Sequence, residues 1–160
     1  MSTLKVGTIQ DHANSNTAMT IDSSGRVFQP AKPYISLFHT VDTDYAAAAT
    51  ISNFTVAESR GITHSGGVMT VPVTGQYMIY FCGIINTAAG VLLNVGGANI
   101  NRIVYTGAGG TTWDSVSGQH IMTVTANTEV KFVAVNGTVS MYGATSASGK
   151  VGGAGMYLIG

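Results

Sequence analysis

The chain has 160 residues, enough for one domain with a modest extension, and its seven basic and seven acidic side chains give a formal net charge of zero. That balance excludes an electrostatic nucleic-acid groove and a polybasic membrane contact, both of which need a basic excess. Only 9% of the residues are charged while 45% are hydrophobic, against the roughly 25% charged residues of an ordinary globular domain, and this suits a subunit buried in an assembly.

Residues 1–30 differ in character from the rest of the chain. Leu4, Val6 and Ile9 form one short apolar patch, Met19 and Ile21 a second, and Val27 and Phe28 a third. Turn-rich breaks separate them, Asp11 to Asn16 and Asp22 to Gly25. Strands this short bury no core alone. Either the segment is a tail without fixed structure or it orders against a partner, and the regular apolar spacing favours an attachment segment. Two prolines in Gln29-Pro30-Ala31-Lys32-Pro33 hold the chain extended and mark the border with the body, residues 31–160.

From Tyr34 onward, about ten short strand-like runs alternate with turns, the pattern of an all-β sandwich. They are Tyr34–Thr40, Thr50–Val56, Val68–Val73, Gln76–Ile85, Val91–Val95, Asn101–Tyr105, Gly118–Thr125, Glu129–Val135, Val139–Ala144 and Gly155–Ile159. Gly96-Gly97, Asn127 and Asn136-Gly137 mark tight turns. The only possible helical turn, Asp44 to Ala49, is placed in a surface loop. Gln76–Ile85 is the most informative run. Tyr77, Ile79 and Phe81 alternate with Met78, Tyr80, Cys82 and Ile84, so both faces of the strand are apolar and both need cover. One face is expected in the core and the other against another subunit.

The ordered motifs GGVMTVPVTGQYMIYF, HIMTVTANTEVKFVAV and GAGMYLIG resemble the jelly-roll head shared by complement subcomponent q and tumour necrosis factor. The resemblance spans about residues 34–160. Its signature positions are Pro72, Gly75, Tyr77 and Phe81, then Asn127 and Val130-Lys131-Phe132, then Ala154-Gly155-Met156-Tyr157. Two positions depart from the family: Thr128-Glu129 replaces a usual glycine-aspartate, and Ala154 a usual phenylalanine. The resemblance implies a homotrimer whose threefold contact is lined by Met78, Tyr80, Cys82, Tyr157 and Ile159. The opening segment resembles short leaders of virion proteins from marine and cyanobacterial tailed phages, through Leu4–Asp11 and Thr20–Val27. This implies attachment to another virion protein, capsid or tail, through Leu4, Val6, Ile9, Ile21, Val27 and Phe28.

Candidate chemistry is sparse. His12, His39, His64 and His120 share no ligand spacing, and no GxSxG elbow surrounds Ser65. Cys82 is the sole cysteine, so no internal disulfide and no cysteine-based zinc site forms. Asp42 and Asp44 offer too few of the roughly six to eight oxygens that calcium takes. No metal, cofactor or catalytic function is therefore expected. Gly107 to Gly110 lacks the lysine-serine of a phosphate loop. The sole tryptophan, Trp113, is placed with Tyr105 and Asp114 on a glycine-rich loop from Thr106 to Ser117. There the three could contact a host glycan or protein receptor, or Trp113 could fold back over the sandwich edge.

The opening Met-Ser-Thr-Leu-Lys lacks a signal-peptide core and no apolar run reaches the ~20 residues of a membrane helix, so synthesis in the host cytoplasm and no membrane insertion are expected. These features together point to a non-enzymatic structural protein of a tailed-phage virion, a trimeric surface knob serving as capsid decoration or tail-fibre tip. A free-standing carbohydrate-binding, lectin-like module is the alternative.

Overall fold

The computed structural model describes residues 6–10, 17–29, 31–85, 88–107, 113–143 and 152–160. The chain divides into two units, Met1–Lys32 and Pro33–Gly160, two residues beyond the sequence-based border.

The first unit is a three-stranded antiparallel sheet of β1 (Thr8–Gln10), β2 (Thr17–Ile21) and β3 (Val27–Phe28). The β2–β3 connection is built by its own sequence. The Asp22 carboxylate accepts hydrogen bonds from the Ser24 and Arg26 main-chain N–H groups and pairs with the Arg26 guanidinium at 2.6 Å. Those bonds to Arg26 hold the Asp22 carboxyl below its usual value. Gly25 takes the left-handed conformation that closes the turn. Ile9 lies opposite Met19, and Ile21 opposite Val27, so the four share one face. Ile9, Ile21 and Val27 are exposed there.

The second unit holds β4 (Tyr34–His39), β5 (Thr43–Tyr45), β6 (Phe54–Arg60), β7 (Thr63–Ser65), β8 (Val68–Thr70) and β9 (Gly75–Ile85). They are followed by β10 (Gly90–Val95), β11 (Ala98–Tyr105), β12 (Asp114–Val124), β13 (Glu129–Val135), β14 (Val139–Met141) and β15 (Gly153–Leu158). The smaller sheet runs β11-β10-β13-β8-β7. The larger runs β5-β14-β9-β15-β4-β6, with β12 on the other side of β9. Every pairing is antiparallel. Among the described residues there is no helix.

The alternation read from the sequence of β9 sets the core. Tyr77, Ile79, Phe81 and Ile85 are fully buried, and the Phe81 ring meets Phe132 of the facing sheet at 5.2 Å. Ile35, Leu37, Met69, Leu93, Val130 and Met156 fill the space around that pair. The Tyr77 hydroxyl donates to the Val73 carbonyl, which satisfies its one polar atom at the edge of the core.

Four elements differ from the sequence reading. Asp44 and Tyr45, assigned to a surface loop with a possible helical turn, belong to β5, where Tyr45 is buried. The run placed at Thr50–Val56 splits: Ile51 donates to the Phe132 carbonyl in the smaller sheet, Asn53 turns the chain at a positive φ, and β6 begins at Phe54. β7 forms a two-residue hairpin with β8 through Gly66-Gly67. β12 begins at Asp114, inside the stretch assigned to a loop, because the 11-residue β9 templates a partner of equal length.

An aromatic seam joins β6 of one sheet to β7 of the other. His39 stands edge-on to Phe54 at 5.6 Å and to Tyr45 at 5.9 Å, and Phe54 meets His64 at 6.4 Å. The Tyr45 hydroxyl donates to the Ser52 carbonyl, so His39 Nε2 carries the imidazole proton in their 2.9 Å contact. Burial holds both histidines below their ordinary value, and for His39 it outweighs the opposing Tyr142 main chain and Asp42 carboxylate. The folded state therefore favours neutral rings, and the unfolded chain takes up protons first. Stability is full above the ordinary imidazole value of 6.5 and falls as pH drops below it, by up to about 1.4 kcal/mol per pH unit for His39. Urea unfolding between about pH 8 and pH 5 should show this slope, and His39→Phe should reduce it to the share that His64 contributes.

Candidate functional site

The outer face of the larger sheet is the surface that composition singled out. Register places its side chains in three ranks across β12, β9, β15, β4 and β6. The first is Ile121, Met78, Tyr157, Tyr34 and Arg60; the second Gln119, Tyr80, Gly155, Ser36 and Glu58; the third Ser117, Cys82, Gly153, Phe38 and Thr55. The first rank is bulky. Ile121 and Tyr157 are exposed, the Tyr157 hydroxyl reaches Met78 Sδ, and the Arg60 guanidinium covers the Tyr34 ring at 5.3 Å.

The lower ranks are hollowed by glycine. The Tyr80 ring lies across Gly155, where a side chain would collide with it and with the Ile35 carbonyl oxygen. The Tyr80 hydroxyl donates to Ser36 Oγ at 3.2 Å, which holds the ring in place. Gly153 likewise has no room for a Cβ beside the Leu37 carbonyl. Two open depressions of about 270 and 370 Å³ flank the Tyr80–Cys82 ridge, one towards Ser36 and Phe38, the other towards Ser117 and Gln119. Met78, Tyr80, Cys82 and Tyr157 thus share one face. Ile159 follows at its rim, where its N–H donates to the Gln76 carbonyl. Ile121, Phe38 and Tyr34 also join that face. Sequence reading passed over them because β12 and β4 look amphipathic in isolation.

Of the three residues assigned to receptor contact, Trp113 lines a groove and Tyr105 and Asp114 are not in its lining. Tyr105 ends β11 and lies under the Arg102 guanidinium at 4.8 Å. Asp114 opens β12, exposed, opposite Ile85. Trp113 is 43% exposed and meets the Tyr142 ring edge-on at 5.5 Å. It lines a groove of about 340 Å³ with Asp42, Thr43, Asp44, Ser140 and Met141. Of the attachment residues, Ile9, Ile21 and Val27 present the exposed apolar face of the small sheet and Val6 precedes it, half-buried. Phe28 pairs with Thr20 through its main chain; its side chain and Leu4 lie outside the described residues. Among the described residues, no three His, Cys, Asp or Glu side chains gather as a metal site, and no helix is long and apolar enough to cross a membrane.

No family model and no curated protein matches the sequence. Solved structures do match the fold. Murine APRIL at pH 5.0 aligns with a TM-score of 0.62 and 11% identity, over 80% of this chain and 99% of that one. The Eiger TNF of S. frugiperda aligns with a TM-score of 0.63 and 12% identity, over 80% and 94%. Murine APRIL at pH 8.5 gives 0.59 and 12%, over 80% and 99%. At such identities the likeness shows the fold alone: the body is a jelly roll of the tumour-necrosis-factor type.

Proposed function

We propose that the chain is a non-enzymatic structural protein of a tailed-phage virion, a homotrimeric jelly-roll knob that decorates the capsid or tips a tail fibre. The observation that carries the self-assembly half is the three-rank outer face. A bulky apolar rank beside glycine-floored hollows is self-complementary in the head-to-tail sense that closes a ring: the Met78–Tyr157–Ile121 rank of one copy seats on the Tyr80–Cys82 hollows of the next. The low charge of the chain and the family geometry implied by its sequence motifs support three copies.

The attachment half is supported by the leader-like sequence pattern and by the exposed Ile9, Ile21 and Val27 face. The occupant of that face is another virion protein, capsid or tail. Host-surface binding then falls to loops of the knob. A free-standing lectin-like module remains the second reading, favoured by the exposed Trp113 beside carboxylates.

Deleting residues 1–32 separates the two readings. The body should stay folded and assembled, because its core lies within Pro33–Gly160, yet fail to attach to particles lacking the protein. Attachment as strong as that of the full chain would show that the leader is not the anchor. Immunogold labelling of intact particles tests the placement itself.

A further inference from the structure

Three features of the body lie outside the assembly face: the histidine seam, the exposed edge of β6, and the groove beside Trp113. The groove carries the inference furthest. It lies where β5, β14 and the start of β12 meet the end of β9. Ser140 stands opposite Asp44, and Asp114 and Met141 flank Ile85 from opposite sides. Trp113 is pinned against Tyr142 along an edge and remains 43% exposed. A large, oriented, half-exposed indole is a stacking platform for an apolar ring face.

Hydrogen-bond acceptors surround it. One oxygen of Asp42 accepts from the Gly143 N–H at 2.8 Å, which fixes that carboxylate on the groove wall. The Thr43 hydroxyl is engaged, donating to the Val41 carbonyl and accepting from Asn53. Asp44 is exposed on the groove wall. The described lining therefore combines one aromatic ring with two carboxylates and no cation.

That set recognises a ligand with a flat apolar face and a rim of hydroxyl donors, which is a pyranose. Two carboxylates also repel an anion. We infer that the Trp113 groove binds neutral saccharides and rejects acidic ones such as uronic or sialic acids. This rests on the host-binding part of the proposed function and names its ligand class. In this inference Asp42 and Asp44 accompany Trp113 in the groove, where the sequence reading had Tyr105 and Asp114.

Because Trp113 is the only tryptophan, the indole fluorescence of the full-length protein, excited beyond the absorption band of its seven tyrosines, reports on this site alone. The probes are neutral oligosaccharides of glucose, mannose, galactose and N-acetylglucosamine, with oligogalacturonate and sialyllactose as acidic counterparts. At least one neutral probe should shift the emission saturably, with half-saturation near 1 mM or below, and the acidic probes should not. Asp44→Asn should weaken binding about tenfold, the worth of one charge-assisted hydrogen bond. Asp44→Lys should move the preference towards acidic probes. Calorimetry on Trp113→Ala should show no binding, and on Trp113→Tyr, which keeps a stacking ring, a partial recovery.

No saturable change with any neutral probe up to about 10 mM, ten times a 1 mM dissociation constant, would overturn the inference. So would tighter binding of an acidic probe, or Asp44→Asn binding as wild type does. Particle labelling keeps the two claims apart. Labelled particles without saccharide binding would retain the knob and discard the groove. Saccharide binding with unlabelled particles would do the reverse.

Discussion

Tyr80→Asp should leave a folded monomer in place of the trimer proposed for the wild-type chain. Tyr80 sits in the middle rank of the outer face, its ring over Gly155 and its hydroxyl on Ser36. Its ring covers the buried Gly155 but is no part of the hydrophobic core cluster, so the sandwich survives the change. In the assembly, each copy would bury an unpaired carboxylate with its symmetry mates nearby. Leaving a buried charge without a partner costs roughly 3–5 kcal/mol, a loss of about a hundredfold or more in association per subunit. Far-ultraviolet circular dichroism should be unchanged while sedimentation shows the small species. Tyr80→Phe, which loses only the Ser36 hydrogen bond, should still assemble. An aspartate variant that sediments as the wild type does would remove this face from the interface.

Phe81→Ala, one residue along the same strand, should have the opposite character. Phe81 is fully buried and is half of the ring pair that joins the two sheets. Truncation removes its transfer energy and leaves a void that the rigid strands on either side close only in part. The expected loss is about 3–5 kcal/mol, a large share of the roughly 5–15 kcal/mol that stabilises a domain of this size. Denaturant unfolding at fixed protein concentration should show it, with Phe81→Leu losing much less. A loss under about 1 kcal/mol would mean that the two sheets do not depend on this contact.

That two adjacent residues divide so cleanly between core and surface was legible in the sequence, because strand alternation is a local property. The tight turns were legible for the same reason: Asn127, Asn136, Gly96 and Gly97 all take positive φ. The chemistry of long-range approach was not. Gly118, Gly153 and Gly155 lie where a Cβ would strike Ile103, Leu37 or Ile35 main chain, and which backbone a mid-strand glycine admits depends on strands far away in sequence.

Short polar strands were hidden as well. Thr63-His64-Ser65 carries no apolar pattern, and the Gly66-Gly67 pair that closes its hairpin with β8 was not read as a turn. Asn53, inside an apparently continuous run, was the mark of the crossing between sheets. The Trp113 groove needed the fold outright. Asp42 and Asp44 come from one end of the body sequence, Ser140 and Tyr142 from the other, and only the β5–β14 pairing brings them to the indole.

The claim on which the rest depends is that the outer face of the larger sheet is a self-assembly surface closing a ring of three. Native mass spectrometry or sedimentation equilibrium of the wild-type chain at micromolar concentration tests it. The account predicts a single species at three times the 16.5 kDa chain mass, stable to dilution and split by Tyr80→Asp. A wild-type protein that stays at 16.5 kDa would contradict it.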